Sequence, residues 1–526
     1  MRRFILLSIA LLFIITSCNE VKKSDIDINA VLDNYEVKSE WLNYRLSLEY
    51  WDYYTTGKAD SLDFYNGLFR HLIKDDDLLQ AVNSRTQNFT DEDDRRRFEL
   101  VKSSVLSGQI DLEPDIVQLK DSLSNIDINY RAMFEGEQAN TNELYQIYRT
   151  DKNRTRREAA YRAYVSVGEK MQDGLSRLFK LRNQKAKKLG YNNYFGLSLK
   201  YQGIELHEYM DLLKQLDTLS ENAYDAILAS IKDKTGLLDP NIWDLAFAYN
   251  DIYKKVDAYF PVDSQMRYVD NSLEAIGYDL EDLPIYFDLE SRDGKSQFAY
   301  AFTIKAPYDM RILANLTDGI LSTKTLMHEV GHALHSAYIR QDRSIFSSTM
   351  IEGIWAEAMG QTMAALVNEK EWLTKYAHMP TKLADDYLKA KRELDIIYLR
   401  TTLLRLHFEF EAYNNPNRDL NQVFWELSSK YLKISQHEDL YPWASIIHYT
   451  THPVYLHNYL YADMIAAQNI YFLKDMYNGV IDRETTKSFL SQNYFRFGAK
   501  YDWRELLKRG TDSELDTKYY LTDLGL

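Results

Sequence analysis

The sequence predicts a mainly helical fold, and three observations carry that expectation. Glycine (20) and proline (9) are scarce in a chain of 526 residues, which leaves few of the breakers that punctuate a β-rich fold. Leu, Ala, Lys, Glu and Tyr fill the long stretches between them, and most of these are good helix formers. Apolar residues recur at helical spacing from Trp41 onward. They are crowded with aromatics at Leu42, Leu46, Leu48, Tyr50 and Trp51, and cleaner at Leu212, Leu213, Leu216, Leu219 and at Ile227, Leu228, Ile231. No repeat, low-complexity tract or Gly/Ser/Pro linker interrupts the chain, so one helical domain over residues 37–526, in two lobes around a cleft, is the simplest organisation. A formal net charge of −15 argues against nucleic acid as a partner, because phosphate binding needs a basic face.

The N-terminus is the first segment with a specific reading. Arg2 and Arg3 precede an apolar run from Phe4 to Ile15 and then Thr16-Ser17-Cys18, the layout of a secretory signal over residues 1–17. The run is too short to span a bilayer as a helix. Cys18 is the only cysteine, so no intramolecular disulfide is possible. Ile15-Thr16-Ser17-Cys18 resembles a bacterial lipobox, in which the cysteine is lipidated and becomes the mature N-terminus. The expected product is anchored through Cys18 in a bacterial cell envelope, on the periplasmic or cell-surface side, with residues 18–36 as a polar tether. No later stretch approaches the ~20 apolar residues of a membrane helix, so the acyl chains would be the anchor.

One segment breaks the helical pattern. Phe298, Tyr300, Phe302 and Ile304 alternate with Ala299, Ala301, Thr303 and Lys305 after the turn Arg292-Asp293-Gly294. This predicts a strand, with Pro307 and a second short apolar run, Ile312-Leu313, behind it. A small edge sheet near residues 297–313 is therefore expected within the helical domain.

Chemistry enters just downstream. Residues 326–338 read Leu-Met-His-Glu-Val-Gly-His-Ala-Leu-His-Ser-Ala-Tyr. His328 and His332 are four apart, so on a helix they point the same way one turn from each other. Leu326, Val330, Ala333 and Ala337 give that helix an apolar stripe, which makes it a buried helix bearing two imidazoles. Two neutral imidazoles at this spacing can bind one Zn²⁺, and Glu329, about 100° round the helix, can take a proton from the attacking water. A third, carboxylate ligand should lie on a following helix, and Glu352 and Glu357 both qualify by spacing. Glu357 is preferred because Ala356, Ala358 and Gly360 around it allow close approach to the metal; Glu352 suits a helix-entry position. His335 reads as a packing residue rather than a ligand.

Six of the eleven histidines fall in two windows, His328, His332, His335 and His448, His452, His457. In the second window Tyr455 and Tyr459 would share a helix face. Peptide hydrolysis needs a donor for the oxyanion formed at the carbonyl, and a tyrosine hydroxyl or an imidazolium serves.

Together these segments resemble the zinc oligopeptidases of the HExxH-plus-glutamate (gluzincin) type, most closely oligoendopeptidase F, with thimet oligopeptidase and angiotensin-converting enzyme as relatives. The likeness rests on Thr325 to Ser336, on Ala356-Glu357-Ala358, on Trp443-Ala444 followed by His448, Tyr455 and Tyr459, and on the strand with Pro307-Tyr308 and Asn315 after it. It covers roughly residues 295–365 and 440–465. The resemblance implies a helical fold around a deep channel that admits short peptides, one zinc on His328, His332 and Glu357, and Glu329 as base. It also implies oxyanion stabilisation by His448 with Tyr455 or Tyr459. His457 stands where the family has an aromatic. Two alternatives remain open at this level: a dipeptidyl carboxypeptidase, which needs a cation for the substrate's terminal carboxylate, and an inactive peptide-binding lipoprotein on the same fold.

Overall fold

The computed structural model describes residues 27–84, 89–340 and 350–526. The signal segment 1–17 and Cys18 lie outside the described residues. Helices dominate, the longest being Ile28–Thr56, Leu206–Thr235 and Thr381–Asn414. The first begins where the Asp27 side chain accepts from the Ala30 N–H, an N-cap that satisfies one of the helix's orphan donors. It buries Leu32 and Tyr35 at once. Residues 28–36, expected above as tether, are therefore its opening turns: Ile28, Val31, Leu32 and Tyr35 already recur there at helical spacing and pack into the N-terminal core. No described helix is long and apolar enough to cross a membrane.

Two bodies of buried side chains organise the chain. The larger runs from Ile110 to Leu524 and includes Trp355, Trp372, Trp425 and Trp443. The smaller joins Leu32, Leu42, Ile73, Val82, Val101 and Val105 from the N-terminal helices. A hairpin of β1 (Ala132–Phe134) and β2 (Glu137–Ala139) caps one side. Its turn residues Glu135 and Gly136 both have left-handed backbones, as a two-residue hairpin turn requires.

The expected edge sheet has three strands, β3 (Ile285–Asp288), β4 (Tyr300–Lys305) and β5 (Asp309–Leu313), ordered β3-β5-β4. β4 pairs antiparallel with β5 and, among the described residues, has no strand on its other side. Phe298, at the start of the alternating pattern, lies outside the strand and is exposed. Lys295 fastens the connection behind the sheet: its buried ammonium donates to the carbonyls of Asp288, Glu290 and Ala314 and to the Asp288 carboxylate, at 2.7–2.9 Å. Asn315 adds a bond to the Ser296 carbonyl at 2.7 Å.

Aromatic packing ties the sheet to the first helix. Trp51 meets Phe302 edge-on at 5.6 Å and Tyr286 at 5.9 Å, and Tyr54 lies 4.7 Å from Tyr300. Beneath them Trp51, Ile304 and Leu313 form a small buried cluster. On the opposite side Thr303 shares a 2.7 Å hydrogen bond with Ser336 of helix Ile320–Ala337, so the sheet is held between the two helices. Leu313→Ala should cost about 2–5 kcal/mol, the range for emptying a buried leucine site, read as a lower urea midpoint at unchanged slope. A loss under about 1 kcal/mol would mean that this cluster does not secure the sheet.

Candidate metal centre and active site

The HExxH segment lies in the middle of helix Ile320–Ala337 and the candidate carboxylate in helix Gly353–Leu366. The two helices cross with almost no space between them. A Cβ on Gly331 would sit 2.8 Å from the Met359 carbonyl oxygen and 2.9 Å from the Gly360 Cα. A Cβ on Gly360 would lie 2.6 Å from the His328 ring. Glycine at both positions is what lets the imidazoles and the carboxylate meet.

They do meet. Nε2 of His328 and Nε2 of His332 are 3.0 Å apart, and Oε2 of Glu357 lies 3.3 Å from the first and 3.9 Å from the second. Ligand atoms held about 2 Å from one tetrahedral zinc sit roughly 3.3 Å from each other, so the donor set has the right size. It also has the right chemistry, two nitrogens and one oxygen, and Glu357 Oε2 is buried without a hydrogen-bond partner among the described residues. An orphaned buried carboxylate oxygen is costly unless something else satisfies it, and a cation does.

The surroundings orient each ligand. The His332 ring donates to the Ala356 carbonyl, leaving Nε2 to face the site, and burial pushes its pKa down to about 4, which keeps the neutral, ligating form. The Tyr455 hydroxyl donates to Glu357 Oε1 at 2.6 Å. Burial would raise the Glu357 carboxyl, but the His328 contact, the two imidazoles and this hydroxyl together hold it below the usual range. Glu352 is elsewhere: it stands at the entry of its helix, 2.8 Å from Arg96, and accepts the Trp503 N–H at 3.0 Å. His335 is buried against Phe495, with ring centroids 5.2 Å apart, and is outside the ligand set.

Glu329 is 7% exposed and accepts a backbone N–H from Ala301 of the edge strand β4. Burial pushes its carboxyl up to about 7, His328 opposing and Glu357 reinforcing. That is where a general base working near neutral pH is most effective.

In the second histidine window Tyr455 and Tyr459 do not share the helix face expected of them. Residues His448–Thr451 form one short turn, and the long helix His457–Tyr477 begins only after Pro453 and a left-handed Val454. Tyr455 thus lies in the connection and Tyr459 in the first turn of the helix, their rings 5.7 Å apart. Their tasks separate: Tyr455 is engaged by Glu357, whereas Tyr459 stands edge-on to His448 at 6.0 Å and senses the charges of both Glu357 and Glu329. Burial first, then His452 and Arg405, lower His448 to about 4. It offers a neutral N–H at neutral pH rather than the imidazolium considered above. His457 is a core residue, bonded to Gln202 at 3.0 Å.

Sequence reasoning missed the residues that hold this connection. Glu409 Oε1 accepts the Val454 N–H at 2.6 Å, and Gln202 donates to the Val454 carbonyl at 3.2 Å. Arg182, fully buried, donates to the carbonyls of Tyr449 and Thr450, each at 2.7 Å. All three come from distant parts of the chain, and nothing in their local sequence marks them.

A mainly helical fold around an HExxH pair and a converging glutamate defines a metallopeptidase of the gluzincin class. Residues 281–526, the segment bearing the site, match the profile of Peptidase family M3, so the likeness read from the motifs extends well beyond them. Group B oligopeptidase PepB of Streptococcus agalactiae serotype III (strain NEM316) is 25% identical over 293 residues, 51% of this chain and 43% of that protein. The aligned part thus spans less than half the length of that relative. Among solved structures, one described as PZ peptidase A with inhibitor 2 superposes with a TM-score of 0.72, covering 95% of this chain and 94% of its own, at 16% identity. This last likeness is one of fold.

The packing makes a specific prediction. Tyr455→Phe, which keeps the ring and removes the bond to Glu357, should weaken metal affinity about 10- to 100-fold with an unchanged circular dichroism spectrum. Competitive chelator titration measures it; unaltered affinity would show that Tyr455 does not orient the ligand.

Proposed function

We propose that this chain is a zinc-dependent oligopeptidase that hydrolyses bonds within short peptides, with one zinc per chain. The observation that carries this reading is the convergence of His328 Nε2, His332 Nε2 and Glu357 Oε2 within 4.8 Å of one another, beside a buried carboxylate that none of them uses. Zinc held by these three would supply Lewis acidity, which polarises the scissile carbonyl and lowers the pKa of the attacking water so that Glu329 can deprotonate it.

The chain's own residues do the rest. The unpaired edge of β4 is positioned to align an extended peptide over the site, as sheet edges do. Glu329, steadied by the Ala301 N–H, takes a proton from the attacking water and returns it to the leaving amine nitrogen. Tyr459 donates its hydroxyl to the developing oxyanion, with His448 beside it; burial raises the Tyr459 hydroxyl's pKa and so keeps it a donor. Tyr455 is reserved for Glu357. This division supports Tyr459 over Tyr455 as the oxyanion donor.

The sequence further supports placement in a bacterial envelope, lipid-anchored at Cys18, with the peptidase domain on the outer side of the membrane and short peptides as its substrates. A diacylated or triacylated cysteine anchors stably where a single chain does not.

Glu329→Gln should retain stoichiometric zinc while turnover falls by several orders of magnitude, roughly 10³-fold or more; near-normal turnover would refute the assigned base. His332→Ala should lose zinc itself. Tyr459→Phe should lower kcat by about 10²-fold with little change in KM, and an effect confined to KM would remove it from transition-state stabilisation. Cys18→Ser should leave the membrane fraction with its peptidase activity intact; a Cys18→Ser protein that is signal-cleaved yet still membrane-bound would end the lipid-anchor reading.

A further inference from the structure

A cavity of about 1150 Å³ opens next to the active site, with His448 in its wall. One side is built by helix Thr381–Asn414, which lines it with Lys391, Asp395, Tyr398 and Arg405. The stretch around Lys391 and Asp395 is of mixed charge: these two are paired, and Lys324 and Asp463 are close enough to influence them and each other. Arg405 is ten residues, about 15 Å of helix, further along, at the His448 end of the cavity.

Arg405 differs from Arg400 on the same helix. Arg400, one turn earlier, is fully engaged by Asp217 and two backbone carbonyls. The Arg405 guanidinium has no carboxylate in ion-pair range and no hydrogen-bond partner among the described residues; only its backbone carbonyl is used, by the Tyr449 hydroxyl at 2.9 Å. It nevertheless lies near enough to His448, Tyr161 and Tyr164 to act on all three electrostatically. Arg149 lines the same cavity, bonded to the Tyr145 hydroxyl and likewise without an ion-pair partner among the described residues. The wall around these two arginines is aromatic, with Tyr148 5.5 Å from Tyr161 and 5.4 Å from Tyr164.

A half-buried guanidinium with no carboxylate in range is available to an anion in the cavity, and its planar fork matches a carboxylate. We propose that Arg405, with Arg149 behind it, binds a carboxylate of the peptide substrate on the His448 side of the scissile bond. That carboxylate is the substrate's C-terminal group or an aspartate or glutamate side chain at the same place. The proposal rests on the peptidase reading above. Its consequence is selectivity: cleavage is registered from an anionic group, with the cavity limiting how much peptide lies beyond the cut.

The test compares one unlabelled peptide series as free acid, as C-terminal amide, and as amide with a single glutamate moved along the chain. Products are mapped by mass spectrometry on the wild type, Arg405→Gln and Arg405→Lys. For a terminal carboxylate, the wild type should cut the free acid with a kcat/KM about 10- to 100-fold above the amide. Arg405→Gln should collapse that ratio toward one, mainly through KM, and Arg405→Lys should restore part of it. For a side-chain carboxylate, the ratio that collapses is instead glutamate over its neutral counterpart at one fixed position. A merely structural arginine would lower all rates together and leave both ratios in place, and that result would overturn the proposal. So would a wild type indifferent to every carboxylate in the series, whatever becomes of the variants. If the zinc-loaded wild type cut nothing, the peptidase reading would fail instead. Calorimetric binding of free acid against amide to that same protein would then decide the Arg405 site separately, equal affinities overturning it.

Discussion

The site depends on two helices being able to touch. Helices ordinarily pack with axes 8–10 Å apart, a distance set by side chains at the crossing. Here Gly331 and Gly360 remove those side chains where helices Ile320–Ala337 and Gly353–Leu366 cross, and any Cβ there would collide with backbone or with the His328 ring. Close approach brings a carboxylate from the second helix to within 4 Å of both imidazoles on the first. It also places the Ala356 carbonyl where the His332 ring can donate to it. One geometric fact therefore fixes both the ligand positions and the ring orientation.

The arrangement concentrates like charge. Glu329 and Glu357 are both buried and each raises the cost of ionising the other. The chain relieves Glu357 with hydrogen-bond donors and neighbouring imidazoles and leaves Glu329 with a single backbone N–H. Two neighbouring buried carboxylates thus acquire different protonation behaviour, Glu357 held below the usual range and Glu329 pushed up to about 7. Such a split is how a site separates ligand from base.

How much of this the sequence discloses follows from how local each feature is. His328, Glu329 and His332 are legible because helical spacing alone makes them neighbours. Glu357 is legible through the small residues around it, since those same residues permit the crossing. The strand at Tyr300–Lys305 shows in its alternation, while β3 is four residues long with no clear period and the β1–β2 hairpin is shorter still. The four-residue spacing of Tyr455 and Tyr459 predicts one shared helix face, which the connection from His448 to Tyr459 does not have. Its true shape is imposed by Pro453, by the left-handed Val454 and by Glu409, Gln202 and Arg182 reaching in from elsewhere. Long-range contacts of that kind leave no periodic trace.

That connection explains why the two tyrosines are not equivalent. A helix running unbroken through residues 448–459 would stack Tyr455 and Tyr459 on one face and present both hydroxyls alike. The break at Val454 turns Tyr455 back toward Glu357 and leaves Tyr459 beside His448. Val454 is β-branched, and a left-handed backbone is strained for such a residue. The strain is held by hydrogen bonds at both its N–H and its carbonyl. Glu409, which accepts that N–H, is itself fully buried and pushed up to about 7 by the burial. A buried carboxylate and a strained residue are both unfavourable alone. Together they hold a bend that neither helix propensity nor the hydrophobic core would produce, and the bend is what assigns one tyrosine to the ligand and frees the other for the substrate.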